Sequence, residues 1–363
     1  MDIVVAAEPP PPFRDDAPVA ELQRAREAAG EAMRAGREAW ERMVRERDPV
    51  TLTDKQVHRP INRAYFKMRE LGVHVPPPQA VLCLAEAPGG FAQACEHMWP
   101  RARCAAVSLG GEAAIPFSDA LRKCQILRDA PNTGDLTALE CIRWLAQRTA
   151  NRYDLVTADG GVEVDDHTVL EQCHTCLALA QACCAIAANR TGGSFVLKIF
   201  EGCTAPTLDL CRLLRMLYAS VTVEKPRTSK ACNSERYVIC VNFRPTEPLR
   251  SQIVTALERA TQQTRHGTLF VQRLLAAPPT EATRALFRGL AERQAESIRA
   301  SLRGDARELR ALRATDCREL ARVCGLRFVS GALATGPGRL AKAVRRLNRE
   351  DEKEEDAHGT RKA

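Results

Sequence analysis

From Ala80 to Phe243 the chain alternates short, unbroken apolar runs with longer stretches whose apolar positions recur every three or four residues. The short runs, rich in Val, Ile and Leu, predict buried strands; the longer ones predict amphipathic helices. AVLCL (Ala80 to Leu84), RCAAVSLGG (Arg103 to Gly111) and a weaker CQILRD (Cys124 to Asp129) read as strands. So do YDLVTADGG (Tyr153 to Gly161), GGSFVLKIFEG (Gly192 to Gly202), VTVEKP and the run from Arg236 to Phe243. Helices are predicted over Arg59 to Leu71, Phe91 to Met98, within Asn132 to Gln147, over Asp165 to Asn189 and over Pro206 to Ala219. Strand–helix alternation of this kind predicts an α/β, doubly wound, Rossmann-like sheet, whose ligands sit beyond the carboxyl ends of the central strands. The last strand follows its predecessor so closely that an antiparallel final pair is expected.

Both flanks read differently. Residues 1–17 are Pro- and Ala-rich, with PPPP at Pro9 to Pro12, and are expected to be disordered. Pro18 to Arg47 reads as one long amphipathic helix within an N-terminal helical extension, 18–57. The central domain covers 58–245. A basic helical extension follows over 246–349, where Leu269, Leu274 and Leu275 keep helical spacing among many arginines and Thr280 is a candidate cap. Residues 350–363 form a charged tail. Arg299, Arg303, Arg307, Arg310 and Arg313 step by three or four, so one helix face could meet phosphates, although a solvated face has the same pattern.

Composition adds little to this picture. The 363 residues carry a formal charge of +8, which suits a polyanionic partner without requiring one. The start MDIVVAAEPPPPF has no basic lead, and the apolar stretch Cys176 to Ala188 is too short to cross a bilayer, so no membrane association is expected. The expectation is a soluble, intracellular protein of the nucleus or cytoplasm. The 15 cysteines are scattered through predicted elements, as reduced core cysteines are. Cys173, Cys176, Cys183 and Cys184 fall on one predicted helix with no second pair at finger spacing, and no metal is expected.

Three predicted strands end at or beside charged residues: Asp159, Lys198 and Glu235. A fourth, Lys67, lies upstream in NRAYFKMREL. Between Lys67 and Asp159 the strand–turn–helix LAEAPGGF offers a glycine turn and a helix N-terminus, although PGG alone fits an ordinary β–α turn equally well. It is not a phosphate loop, for GK[ST] is missing. Asp135 reads most simply as a helix N-cap; the alternative is a carboxylate that accepts from an adenine amino group.

NRAYFK, LAEAPGGF, GDLT, DLVTADGG, GGSFVLKIFEG and KPRTSKACNSERY, in this order and spacing, resemble the FtsJ-like ribose 2′-O-methyltransferases over residues 58–243. TADGG and KPRTSKACNSERY are most similar to the adrift-type branch, which includes the mRNA cap ribose methyltransferases of eukaryotes and several large DNA viruses. The resemblance implies a methyltransferase sheet and a Lys67–Asp159–Lys198–Glu235 tetrad. It also implies S-adenosyl-L-methionine bound around Asn62, Glu86, Ala87, Pro88, Gly89, Gly90, Phe91, Asp135 and Leu136. The implied partners are RNA, most directly the capped mRNA 5′ end, and a capping-enzyme or polymerase partner. An internal rRNA or tRNA ribose is the alternative target, and a non-catalytic RNA-binding subunit a further one. One departure stands out: many methyltransferases end the second strand with an acidic residue for the cofactor ribose, whereas this chain has VSLGG. A free lysine is a poor base near neutrality, so the tetrad implies Lys198 activated beside Lys67, with Asp159 and Glu235 orienting both.

Overall fold

The computed structural model describes residues 1, 3–13, 16–50, 59–112, 114–164 and 169–324; the expected charged tail and the end of the basic extension lie outside them. In chain order the central elements are α2 (Ala64–Leu71), β2 (Ala80–Leu84), α3 (Gly90–Met98), β3 (Arg103–Val107) and β4 (Gln125–Ile126). Next come α4 (Leu139–Thr149), β5 (Tyr153–Ala158), α5 (Leu170–Ala188), β6 (Asn189–Phe200), α6 (Ala205–Leu217), β7 (Tyr218–Glu224) and β8 (Glu235–Phe243). The N-terminal flank carries β1 (Val4–Ala6) and α1 (Ala17–Arg47). The C-terminal flank carries α7 (Glu247–Thr264), β9 (Phe270–Arg273), α8 (Glu281–Arg303) and α9 (Ala306–Cys324).

Seven strands form one sheet in the order β4-β3-β2-β5-β6-β8-β7. Neighbours from β4 to β6 run parallel, and β8 lies antiparallel to both β6 and β7. Two apolar layers cover the faces. One joins α4, α5 and α6 to Leu82, Val156 and Leu197; the other joins α2 and α3 to Val81, Leu155 and Val196. Val81 and Leu82 are both fully buried, which explains why the strand reads as a continuous apolar run rather than an alternating one. This is the mixed, doubly wound sheet expected from the alternation, with the reversed last strand inserted next to β6.

That insertion positions the site. Leu84, Ala158 and Leu197 lie level across β2, β5 and β6, so the residues after them emerge at one sheet edge. Because β8 runs the other way, its first residues reach the same edge: Glu235 pairs with Phe200 and Tyr237 with Lys198.

The flanks depart from expectation in three places. Val4–Ala6 is not disordered but pairs antiparallel with Phe270–Arg273, and Gln172 donates to the Pro10 carbonyl. Phe270–Arg273 is a strand rather than helix, because α7 ends at Thr264 and Gly267, at φ +70°, turns the chain back. The five arginines do not share one helix. Gly304, at φ +69°, ends α8, and Asp305 caps α9 through the N–H groups of Arg307 and Glu308. Thr280 does cap α8, its hydroxyl accepting the Thr283 N–H at 3.3 Å.

The two flanks fold together: Leu22, Ala25, Ala29 and Trp40 of α1 pack on Ala291, Ala295 and Ile298 of α8. Arg299 pairs with Glu21 and Glu296, Arg303 with Glu296 and Glu308, and Arg310 with Glu46. Three of the five arginines are therefore engaged in holding α1, α8 and α9 to one another. Among the described helices none is long and apolar enough to cross a membrane.

Candidate active site

Lys67, Asp159, Lys198 and Glu235 come together from four elements, each buried or nearly so. Lys67 projects from α2, whose Tyr65, Phe66, Met68 and Leu71 are buried and fix the helix against the sheet. Its Nζ donates to Glu235 Oε2 at 3.1 Å and to the Tyr237 hydroxyl at 3.0 Å, and lies 3.8 Å from Asp159 Oδ2. Lys198 Nζ donates to the Asp159 carbonyl at 2.7 Å and lies 3.3 Å from Asp159 Oδ1. Asp159 thus sits between the two lysine side chains, and Glu235 balances Lys67 from the far side. Each basic group has an acidic partner beside it, which is how such groups tolerate burial.

The electrostatics follow. Burial opposes the charge on Lys67, but Asp159 and Glu235 outweigh it and hold its pKa above the ordinary lysine value. Burial likewise pushes Glu235 up, yet Lys67, Lys225 and Lys198 draw it down to about 2. Lys67 is firmly an ammonium and Glu235 firmly a carboxylate near neutrality.

Sequence reasoning missed Tyr237. Its fully buried hydroxyl donates to Asp159 Oδ1 at 2.6 Å and accepts from Lys67, joining the two. The signal was present: Tyr237 follows Glu235 by two on a strand, so both point to one face.

The turn before α3 is built less simply than its glycines suggest. Gly89 sits at φ +120°, where side-chain-bearing residues are strained, and a Cβ there would meet Leu121. At Gly90 a Cβ would collide with Asn62 Oδ1 and approach Tyr65 N to 2.9 Å. Gly90 therefore lets α2 close on α3; the close approach is made by protein, not by the open face of the turn. Asn62 Oδ1 accepts the Ala64 N–H at 2.9 Å and caps the first turn of the Lys67 helix. Gly90→Ala is expected to evict this cap and displace α2, lowering stability by about 1–3 kcal/mol. Urea unfolding checks the loss.

Glu86 is buried, and its Oε1 accepts the Ala92 N–H at 2.9 Å. Its Oε2 is buried with no hydrogen-bond partner among the described residues, and burial pushes its pKa well above the usual carboxylate range. Phe91 and Leu136 are buried beside this edge, in the two opposite apolar layers. Asp135 is not a helix cap, since α4 begins at Leu139. Its Oδ1 accepts from the Thr137 N–H and hydroxyl, and its Oδ2 from Arg265 at 2.8 Å. Cys183 and Cys184 are buried in α5, and the Sγ of Cys176 and of Cys183 donate to the carbonyls of Thr261 and Val254 in α7.

The FtsJ-like methyltransferase family model matches residues 60–243, just over half the chain and the whole of the sheet just described. The chain belongs to the FtsJ-like methyltransferase family. Among curated relatives, it is 37% identical over 122 residues to cap-specific mRNA (nucleoside-2'-O-)-methyltransferase 2 of Danio rerio, covering 33% of this chain and 16% of the relative. It is 41% identical over 115 residues to the corresponding methyltransferase 1 of Trypanosoma brucei brucei, covering 31% of each. A baculovirus enzyme, the cap-specific mRNA (nucleoside-2'-O-)-methyltransferase of Autographa californica nuclear polyhedrosis virus, is 26% identical over 182 residues, covering 49% of this chain and 69% of that protein. The matched stretch thus spans less than a third of the first two relatives. All six segments that carried the resemblance fall within 60–243.

Proposed function

We propose that the chain transfers a methyl group from S-adenosyl-L-methionine to a ribose 2′-oxygen of RNA, at the first transcribed nucleotide of capped mRNA. The observation that carries this reading is the environment of Lys198. Lys67 has three oxygen partners around its ammonium, whereas among the described residues Lys198 has the carbonyl and carboxylate of Asp159 as its oxygen partners. Gly161 carries no side chain against it; a Cβ there would stand 3.2 Å from Lys198 Nζ. A ribose hydroxyl approaching past Gly161 meets one oriented amine.

The residues of the adjacent turn fit the cofactor. Glu86 Oε2, buried and without a partner among the described residues, offers an acceptor to a ligand, and α3 begins at Gly90 with no side-chain cap, which suits an anionic group. Asn62, the turn from Glu86 to Phe91, Asp135 and Leu136 would hold it. The bound cofactor supplies an electrophilic methyl on a sulfonium. In this reading Lys198 orients the 2′-hydroxyl and takes its proton, Asp159 fixes Lys198, and Lys67 with Glu235 and Tyr237 fixes Asp159. Such alignment can supply several kcal/mol of the barrier. The cap assignment is supported by the relatives, each of which is named as cap-specific.

Methyl transfer from labelled cofactor to one RNA sequence, capped or bearing a 5′-triphosphate, tests both parts. Transfer is expected on the capped RNA at least tenfold faster, at the ribose of the first nucleotide. Equal rates would remove the cap from the proposal, and label on a base rather than a ribose would remove the 2′-oxygen.

A further inference from the structure

The segment KPRTSKACNSERY contains a second lysine beside the site. Lys225 follows the end of β7, and its ammonium is enclosed although the residue as a whole keeps partial exposure. Its Nζ donates to Asn233 Oδ1 at 2.6 Å, to the Glu235 carbonyl at 3.2 Å and to Ser229 Oγ at 3.4 Å. Three acceptors match the three N–H groups of an ammonium; a neutral amine has only two to give. Ser229, itself buried, donates its one proton to Glu235 Oε1 at 2.5 Å. Glu235 Oε2 then takes Lys67. A continuous line of polar contacts runs Lys225, Ser229, Glu235, Lys67, Asp159, Lys198.

Ser229 has a competing acceptor. Asn233 Oδ1 lies 3.0 Å from its oxygen, close enough to take the hydroxyl proton. Lys225 already occupies that oxygen at the shorter distance, which leaves the Glu235 carboxylate as the better acceptor for Ser229. The surrounding loop is held rigidly enough for this choice to matter. Glu70 of the Lys67 helix accepts the N–H groups of Arg227 at 2.8 Å and Thr228 at 3.0 Å, and Arg63 donates to the Thr228 carbonyl at 2.8 Å.

We propose that Lys225 is a positioning residue of the active site, which acts through Ser229 to aim the Glu235 carboxylate at Lys67. The inference rests on the methyl-transfer reading above for its consequence in turnover. The charges that act on Lys225 are those of Glu235, which favours its ammonium, and of Arg236 and Lys67, which oppose it. Burial lowers its pKa to about 7 against the pull of Glu235, so the three-acceptor arrangement is complete below neutrality and loses one N–H as pH rises through it.

The full-length chain is compared with Lys225→Met, Ser229→Ala and the double variant. Each single change is expected to lower kcat by roughly tenfold or more. KM for RNA and affinity for the cofactor analogue S-adenosylhomocysteine should stay within about threefold. The double variant should be no slower than Lys225→Met, because both changes break one link. A kcat within twofold of wild type for either single variant, or losses that multiply in the double, would overturn the proposal. Should Lys225→Met fail to fold, Ser229→Ala carries the kcat test alone. A second readout needs no turnover. NMR of 15Nζ-labelled lysines should move the Lys67 signal toward that of a solvated lysine in Ser229→Ala. An unmoved signal overturns the proposal whether or not the wild type methylates RNA, whereas an inactive wild type with a moved signal overturns only the functional reading.

Discussion

Replacing Lys198 with Ala is expected to reduce methyl transfer by about 10²- to 10⁴-fold, the usual range for a positioned proton acceptor. The fold should survive, because Asp159, the partner of Lys198, keeps Lys67 and Tyr237. Asp159→Ala should cost at least as much, since it removes the carboxylate that lies against both lysines. Lys67→Ala belongs to the same group but leaves Glu235 buried without its nearest cation, so part of its loss will appear as instability. The effects should not multiply: groups that act as one unit lose most of their function with the first deletion. Single-turnover rates with saturating cofactor, alongside urea unfolding of each variant, separate chemistry from folding. A Lys67, Asp159 and Lys198 triple variant that retained near-wild-type turnover would remove the tetrad from the reaction.

The central sheet was legible because its inner strands β2, β5, β6 and β8 are largely buried on both faces and so appear as apolar runs bounded by turns. Ala80–Leu84 falls where the sequence places it, and so do α1 and the antiparallel β7–β8 pair. The positions of Asp159 and Lys198 at one edge follow from the parallel register of β2, β5 and β6. Glu235 joins them only because β8 is reversed, which the short return segment made predictable.

What escaped was set by distant pairing. Val4–Ala6 is three residues in a Pro-rich stretch, and its partner lies more than 260 residues away, so no local signal marks it. Leu269, Leu274 and Leu275 keep helical spacing by coincidence; Gly267 and the pairing with β1 decide otherwise. The arginine series ran on through Gly304 because its spacing ignores that glycine, yet the left-handed turn there splits it between two helices. Many of those guanidinium groups meet glutamates of α1 and α9, a fact visible only once the chain ends are seen to fold together. The roles of Tyr237 and Ser229 were accessible in principle from strand alternation and loop length, but neither carries the charge that draws attention in a sequence.

The second large effect is expected at Arg236, where Met should lower stability by about 3–5 kcal/mol, a large share of what a folded domain commonly has. Arg236 is completely buried next to Glu235 on β8, with its side chain on the opposite side from the tetrad. It donates to the Glu201 carbonyl and to Gln294 Oε1 of α8 and lies over the Phe287 ring at 5.9 Å. Methionine would restore the apolar contact but leave both acceptors without that donor. It would also leave two buried carboxylates, Glu171 and Glu201, with Arg26 as the cation paired to Glu201. Glu171 is held by the N–H groups of Cys203 and Thr204 and the Thr204 hydroxyl; burial, then Glu201, keeps its pKa raised. Removing Arg236 should raise it further. A carboxylate whose folded pKa lies above its unfolded value binds more protons when folded, so stability falls as pH rises through that window. The penalty at Arg236→Met should therefore be larger at pH 8 than at pH 5, whereas Arg318→Met, at an exposed position of α9, should show little loss at either pH. Urea midpoints at the two pH values decide it. A loss that was equal at the two pH values, or that grew toward pH 5, would mean that Arg236 balances neither acid.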